Sequence, residues 1–339
     1  MQNDVQPQFS QSHQVRRLDG NFFLHGVLKM NCLKLLVAAT ALGMAGQAYA
    51  AQDDAARTVF QGRVNVVDRV TGHTHSMLRC GFENPSKVER EQIERNLREF
   101  RASDRAPLIQ GAAVVAKNVK VHFHVLTTNS GVGNVDEAKL DSAITVMNAA
   151  YAGTGFTFTK VGSTRTKNTT WYSACDRSTV ERQIRKALAV DPAHTFNVYL
   201  CNLGGGLLGR ATFPTYFAEN SFMHGVVIHN GTVPGGSFNG YNGGDTLVHE
   251  AGHYLGLYHT FQGGCVDGAN GGDYVVDTPA EASATYDCNL SKDSCASEGL
   301  DSVTNYMNYG SDACMTNFTT DQRIRAWDQT SLYRPSLGQ

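Results

Sequence analysis

Apolar and polar positions change rhythm several times along this chain. Val119-Lys120-Val121-His122-Phe123-His124-Val125-Leu126 alternates with period two, which predicts a strand with one buried face. Asn134-Val135-Asp136-Glu137 then starts a helix, and Leu140, Ile144, Met147 and Tyr151 follow at helical spacing as expected core residues. Gly155-Phe156-Thr157-Phe158-Thr159 returns to strand, Thr179 to Val190 predicts a second helix, and Phe196-Asn197-Val198-Tyr199-Leu200 a buried strand. Leu207-Leu208-Gly209-Arg210-Ala211-Thr212-Phe213 is expected at a sheet edge, and Gly225-Val226-Val227-Ile228-His229 as another such strand. The next helix is expected to begin near Asp245, a residue type that caps helices. Beyond His259 the rhythm is lost in a Cys- and Gly-rich stretch, as expected of a region held by disulfides and ions rather than by a large core.

The N-terminal part has a different character. Residues 1–29 are polar and irregular and read as an upstream extension, with Met30 as the expected true start. Residues 30–50 read as a signal peptide: Lys34 precedes the apolar run Leu35-Leu36-Val37-Ala38-Ala39-Thr40-Ala41-Leu42, which is too short to span a bilayer comfortably, and Ala48-Tyr49-Ala50 has the small residues of a cleavage site. Residues 51–110 read as a small segment packed on the main domain, residues 111–339. This segment has alternating apolar positions around Val64 to Val70, then Arg79-Cys80-Gly81-Phe82, then a capping box at Ser86-Lys87-Val88-Glu89. The helix that follows shows one narrow apolar stripe, Ile93, Leu97 and Phe100, and Arg101 and Arg105 lie in a polar stretch expected to be exposed to cleavage.

Composition narrows the function classes. The formal net charge of −2 over 339 residues, with no long basic block, gives no electrostatic case for nucleic acid, and no stable membrane association is expected. Of the eight cysteines, Cys32 would leave with the signal peptide. The remaining seven are an odd set, and in an exported protein six would pair, in any of fifteen ways by sequence alone. Cys80 is expected to be the unpaired thiol. Secretion to an oxidising compartment is therefore the expected address.

The chemistry is concentrated in His249-Glu250-Ala251-Gly252-His253-Tyr254-Leu255-Gly256-Leu257-Tyr258-His259. His249 and His253 are four apart on one helix face, Gly256 allows a sharp exit, and His259 can return as a third imidazole. Three neutral imidazoles leave one open position, as in a catalytic zinc site, and Glu250 is placed to take a proton from a zinc-bound water. Cys80, a thiol, can fill that position until the N-terminal segment is removed. His122 and His124 share a strand face and are expected to be ordinary strand residues.

With these residues in place the chain resembles the pappalysin-like metzincins, secreted zinc metallopeptidases. The resemblance runs from about Leu207 to Arg325 and is carried by Leu208-Gly209-Arg210-Ala211-Thr212-Phe213-Pro214, the zinc helix through Thr260-Phe261, Asp277-Thr278-Pro279, Asp293-Ser294-Cys295, Asn305-Tyr306-Met307-Asn308-Tyr309 and Asp312-Ala313-Cys314-Met315. Arg79-Cys80-Gly81 resembles a cysteine switch. The family implies an α/β fold of two lobes, an upper twisted mixed sheet with helices and a lower irregular, disulfide-rich lobe. It implies Met307 in a turn beneath the zinc and Tyr309 as a hydrogen-bond donor to the oxygen of the attacked carbonyl. It also implies the disulfides Cys265–Cys295 and Cys288–Cys314, and with them Cys175–Cys201. Calcium is implied at Asp273, the Val276 carbonyl and Thr278. Asp312 is implied in the pocket for the residue just after the scissile bond, favouring Arg or Lys there. Asn308 departs from the usual Met-Asp-Tyr and removes a carboxylate.

The expected function is thus a secreted zinc endopeptidase, made as a zymogen and acting on proteins or peptides. The alternative is a catalytically silent secreted binding module of the same fold.

Overall fold

A computed structural model describes residues 57–103 and 116–339. The expected signal peptide, Met30, Cys32 and Arg105 lie outside the described residues. The N-terminal segment opens with an antiparallel hairpin of β1 (Arg63–Val67) and β2 (Thr74–Leu78). The alternation read there ends at Val67, because Val70 lies in the turn and is exposed. Val64, Val66 and Met77 point inward onto Leu208, Phe238 and Tyr241. Helix α1 (Lys87–Arg101) begins with the expected capping box and buries Ile93, Leu97 and Phe100.

The main domain is built on a five-stranded sheet formed by β3 (Lys117–Thr127), β4 (Phe156–Lys167), β5 (Thr195–Cys201), β6 (Gly209–Ala211) and β7 (Val226–His229), in the order β4-β3-β5-β7-β6. The first four strands in that order are parallel, and β6 runs antiparallel to β7. β7 is therefore an interior strand and not an edge, a correction to its expected place, and of the two only β6 is an edge. β5 and β7 are buried at every position because helices cover both faces of the sheet, as in parallel sheets generally.

On one face lie α2 (Glu137–Ala150), capped by Asp136, and the metal-motif helix; their core includes Val121, Phe123, Leu140, Met147 and Ile228. On the other lie the short α3 (Thr169–Ser173) and α4 (Ser178–Leu188), with Leu126, Ile184 and Tyr199 packed between. The metal-motif helix, α5 (Asp245–Tyr254), is buried at all ten positions. Asp245 is its first residue rather than its cap. The cap position is Gly244, at φ 110°, and no side chain there bonds the helix end.

From Leu255 to Thr319 the chain forms one short 3-10 turn, Gly268–Asn270, and otherwise loops held by the disulfides Cys265–Cys295 and Cys288–Cys314. Cys175 is joined to Cys201 in the upper lobe, and Cys80 is the free, buried cysteine among the described residues. The chain ends on α6 (Thr320–Tyr333), a helix absent from the expectations above. α6 packs against α1 through two ion pairs, Arg325–Glu94 at 2.6 Å and Arg101–Asp328 at 2.5 Å. Arg101 is thus the last residue of a helix, exposed as expected but ion-paired to the buried Asp328 carboxylate.

Candidate metal centre

Four donors meet below β6. Nitrogens of His249, His253 and His259 and the Cys80 sulfur all lie within 4.8 Å of one another, and all four residues are buried. The helix supplies the first two by its i, i+4 spacing. Gly256 takes φ 102°, and the turned chain delivers His259 to the same point. A Cβ at Gly256 would also strike Gln329 of α6, so both conformation and space demand glycine.

Second contacts fix which ring nitrogens face inward. His249 Nδ1 donates to the Tyr306 carbonyl at 2.6 Å, and His253 Nδ1 to the Leu257 carbonyl at 2.8 Å. A carbonyl only accepts, so each proton sits on Nδ1 and each Nε2 keeps a free lone pair. His249 Nε2 is buried with no hydrogen-bond partner, and His253 Nε2 faces His259 Nε2 at 3.1 Å. Burial holds His253 at about 3 and pushes the other two imidazoles well below their usual value, so all three are neutral at physiological pH. Orphaned lone pairs, neutral imidazoles and a thiol in a buried cluster form a donor set that fits zinc.

Glu250 projects beside the cluster. Its Oε1 has no partner and its Oε2 accepts from the Cys80 thiol at 3.6 Å, while burial pushes its carboxyl up to about 8. Gly209 of β6 lets the strand pass this close, since a Cβ there would lie 2.6 Å from the Glu250 carboxylate. Beneath the helix Gly252 makes room for Met307, whose sulfur would be 2.3 Å from a Cβ at that position. Tyr309 is fully buried with its hydroxyl unpartnered, its ring 4.9 Å from His259 and 5.8 Å from His249.

Sequence reasoning missed several neighbours. Phe82 stacks on His253 at 3.9 Å, closing one side of the cluster with an apolar plate. Glu281 is the carboxylate that Asn308 lacks: Asn308 Nδ2 donates to both of its oxygens at 2.9 Å, and the hydroxyls of Thr260 and Thr285 donate to it at 3.0 and 2.6 Å. This buried hub ties the residue after His259 to the residue after Met307. Nothing in the spacing of Glu281 announces it; the only cue was the missing carboxylate at position 308.

The outlying candidates sit apart from the imidazoles. Asp312 lies at the N-terminal end of α5, where its Oδ2 accepts from the backbone N–H of Gly243 and Gly244 at 2.6 and 3.2 Å, acting as the cap that the helix lacks locally. Asp273 and Thr278 are brought together, but with each other: the threonine hydroxyl donates to Asp273 at 2.7 Å and the Val275 N–H does so at 3.0 Å. The Val276 side chain is exposed beside them. His124 is tied to Thr164 and Asn197, each at 2.9 Å.

Comparison with known proteins adds family context to this geometry. Residues 178–329 match the family described as Pregnancy-associated plasma protein-A, the pappalysins. Proteins named extracellular metalloprotease from Colletotrichum graminicola and Arthroderma benhamiae are each 38% identical, over 76% and 75% of this chain, and each is matched over 91% of its own length. Among solved structures, a promirolysin mutant from Tannerella forsythia is 25% identical with a TM-score of 0.60, covering 77% of this chain and 97% of that one. Mature mirolysin from the same organism, in complex with a cleaved peptide, is 26% identical with a TM-score of 0.56, covering 66% of this chain and 98% of that one.

Proposed function

The chain belongs to the pappalysin family of zinc metallopeptidases, and on that premise we propose that it is secreted as a latent endopeptidase whose catalytic base is Glu250. The observation that carries this reading is the convergence of three neutral, buried imidazoles with one buried, half-unpartnered carboxylate. His249, His253 and His259 would hold zinc, which supplies Lewis-acid polarisation of the scissile carbonyl and activation of the attacking water. Glu250 takes the proton released in that attack and passes it to the departing amine. The Tyr309 hydroxyl donates to the oxygen on which negative charge develops. The Glu281–Asn308 hub keeps Tyr309 and His259 in register.

Latency follows from the place of Cys80. Its sulfur occupies the fourth corner of the donor set and its proton is directed at Glu250, so the N-terminal segment blocks the ion and the base together. The greater share of this chain covered by the unprocessed relative than by the mature one supports reading residues 51–110 as a removable pro-segment. The signal peptide at 30–50 and the extracellular names of the relatives support secretion. Asp312 favours Arg or Lys just after the scissile bond. Asp273, buried beside Thr278, would supply oxygen donors to a calcium ion together with Thr278 and the Val276 carbonyl, and added calcium is expected to raise the melting temperature.

The deciding experiment is digestion of casein by the proteolytically activated chain, with chelator and then with zinc restored. Activity is expected to vanish and return. Glu250→Ala is expected to retain zinc and lose turnover at least about a thousandfold. Near-normal turnover in that variant would overturn the assignment, and zinc binding with no turnover in the activated wild-type chain would leave a silent binding module.

A further inference from the structure

Next to Cys80, the N-terminal segment buries a second group whose role the cysteine does not explain. Arg79 is fully buried, although arginine rarely gives up solvent without a carboxylate in contact. One of its terminal nitrogens donates to Thr246 Oγ1 at 3.3 Å and the other lies 3.9 Å from the Met315 sulfur. The guanidinium carbon is 5.5 Å from the centre of the Tyr241 ring, and Nε has no partner. These contacts place the group at the N-terminal end of α5, in the corner that holds two carboxylates.

Among the described residues neither carboxylate makes an ion pair, and the Arg79 charge acts on both from beyond contact distance. Asp312 spends Oδ2 on the helix backbone, and its Oδ1 is buried and unpartnered. Asp245 is 6% exposed, and no hydrogen-bond donor among the described residues reaches its side chain. Burial and the neighbouring Asp312 push Asp245 up to about 7, and Arg79 opposes this at both acids. Two buried acids in one corner favour a nearby positive charge, and the one present belongs to a segment that must leave before the enzyme works. An arriving substrate meets the same corner with that charge gone.

We propose that Arg79 is a tethered occupant of the pocket for the basic residue after the scissile bond, and that Asp245 shares with Asp312 the selection of that residue. The proposal rests on the latency and basic-preference readings above. The segment is then held at two adjacent residues, Cys80 at the imidazoles and Arg79 in the selectivity pocket. Asp245 is the less committed acid, because one oxygen of Asp312 is engaged by backbone N–H groups.

The test uses the full, unprocessed chain and reads how fast iodoacetamide modifies Cys80, by mass spectrometry. Wild type is expected to be protected. Arg79→Leu and Asp245→Asn should each accelerate modification about tenfold, and the double variant no more than the larger single effect, since both remove one interaction. Arg79→Lys and Asp245→Glu, which keep the charges, should restore most of the protection and show that the first pair acts through charge rather than misfolding. An unchanged rate in Arg79→Leu, or effects that multiply in the double variant, would overturn the proposal. After proteolytic activation, Asp245→Asn should lower the ratio of kcat/KM for Arg over Leu after the scissile bond about tenfold. If wild type shows no basic preference, the pocket reading itself fails and takes the proposal with it. A wild-type preference that survives Asp245→Asn defeats the proposal alone.

Discussion

Above α5, Phe123, Val198 and Ile228 are sealed between helices on a ladder of parallel strands; below it, from Leu255 to Thr319, the chain closes on two disulfides and on Glu281, a buried carboxylate bonded by Thr260, Thr285 and Asn308. The upper lobe is stabilised by apolar area removed from water, the lower one by covalent closure and satisfied polar groups. The metal centre draws on both. His249, Glu250 and His253 ride on a helix buried all round, whereas His259, Met307 and Tyr309 come from chain that has no ladder to hold it. Catalytic geometry should therefore be more fragile from below than the fold as a whole.

Removing both lower disulfides is the largest perturbation of this contrast. Each closes a loop of 26 or 30 residues, and closure of that length is worth about 3.5 kcal/mol apiece. Replacing Cys265, Cys295, Cys288 and Cys314 by serine should abolish turnover and zinc retention while far-UV circular dichroism still reports the sheet and its helices. Simultaneous loss of both lobes would show that they are one cooperative unit.

Phe123→Ala tests the other side at about 3–5 kcal/mol. Phe123 is fully buried on the interior strand β3, so the variant should lower the melting temperature of the whole protein. The fraction that stays folded at low temperature is expected to keep near-normal kcat. A kcat loss larger than the folded fraction explains would place the sheet core in the active geometry.

The contrast also governs what could be read from the chain. β3 and α2 announce themselves because their buried faces are apolar and periodic, and α5 through the imidazole trio, because two of the imidazoles share one helix face and the third follows a glycine turn. α6 gave no such signal. Its buried positions include Gln322, Arg325 and Asp328, satisfied by α1 and by loops far away in sequence, so its stripe looks like a wet surface. Its capping box, Thr319 with Gln322, was the available cue. Asp245 and Arg79 were equally hidden, since a pocket made by residues distant in sequence exists only once the fold brings them together.

Glu281→Ala should cost about 1–3 kcal/mol, through donors left unpaired in the lower lobe, and should loosen zinc and lower kcat more than it lowers the melting temperature. Moving the carboxylate across the hub, in Glu281→Asn with Asn308→Asp, should recover part of both. Zinc affinity by chelator competition separates this from a general loss of stability. No recovery in the double variant would mean that the hub depends on the shape of Glu281 rather than on one carboxylate facing one amide.

The smallest expected effect is one of sign. Burial holds His124 and His229 at about 4 and His224 at about 3 in the upper lobe. Their folded pKa values lie below the ordinary value of about 6.5, so between roughly pH 4 and 6.5 the unfolded chain binds more protons and stability falls as pH falls. Glu281 is shifted the other way, pushed up by burial. A carboxyl raised in the folded state gives stability that is complete below the unfolded pKa and is lost as pH rises through the folded one. Acid should therefore loosen the upper lobe first and alkali the lower. Melting curves from pH 4 to 8 should show His124→Gln flattening the acid limb and Glu281→Gln the alkaline limb; the reverse assignment, or two limbs that respond to both variants alike, would mean that the two lobes do not differ in how they answer to protons.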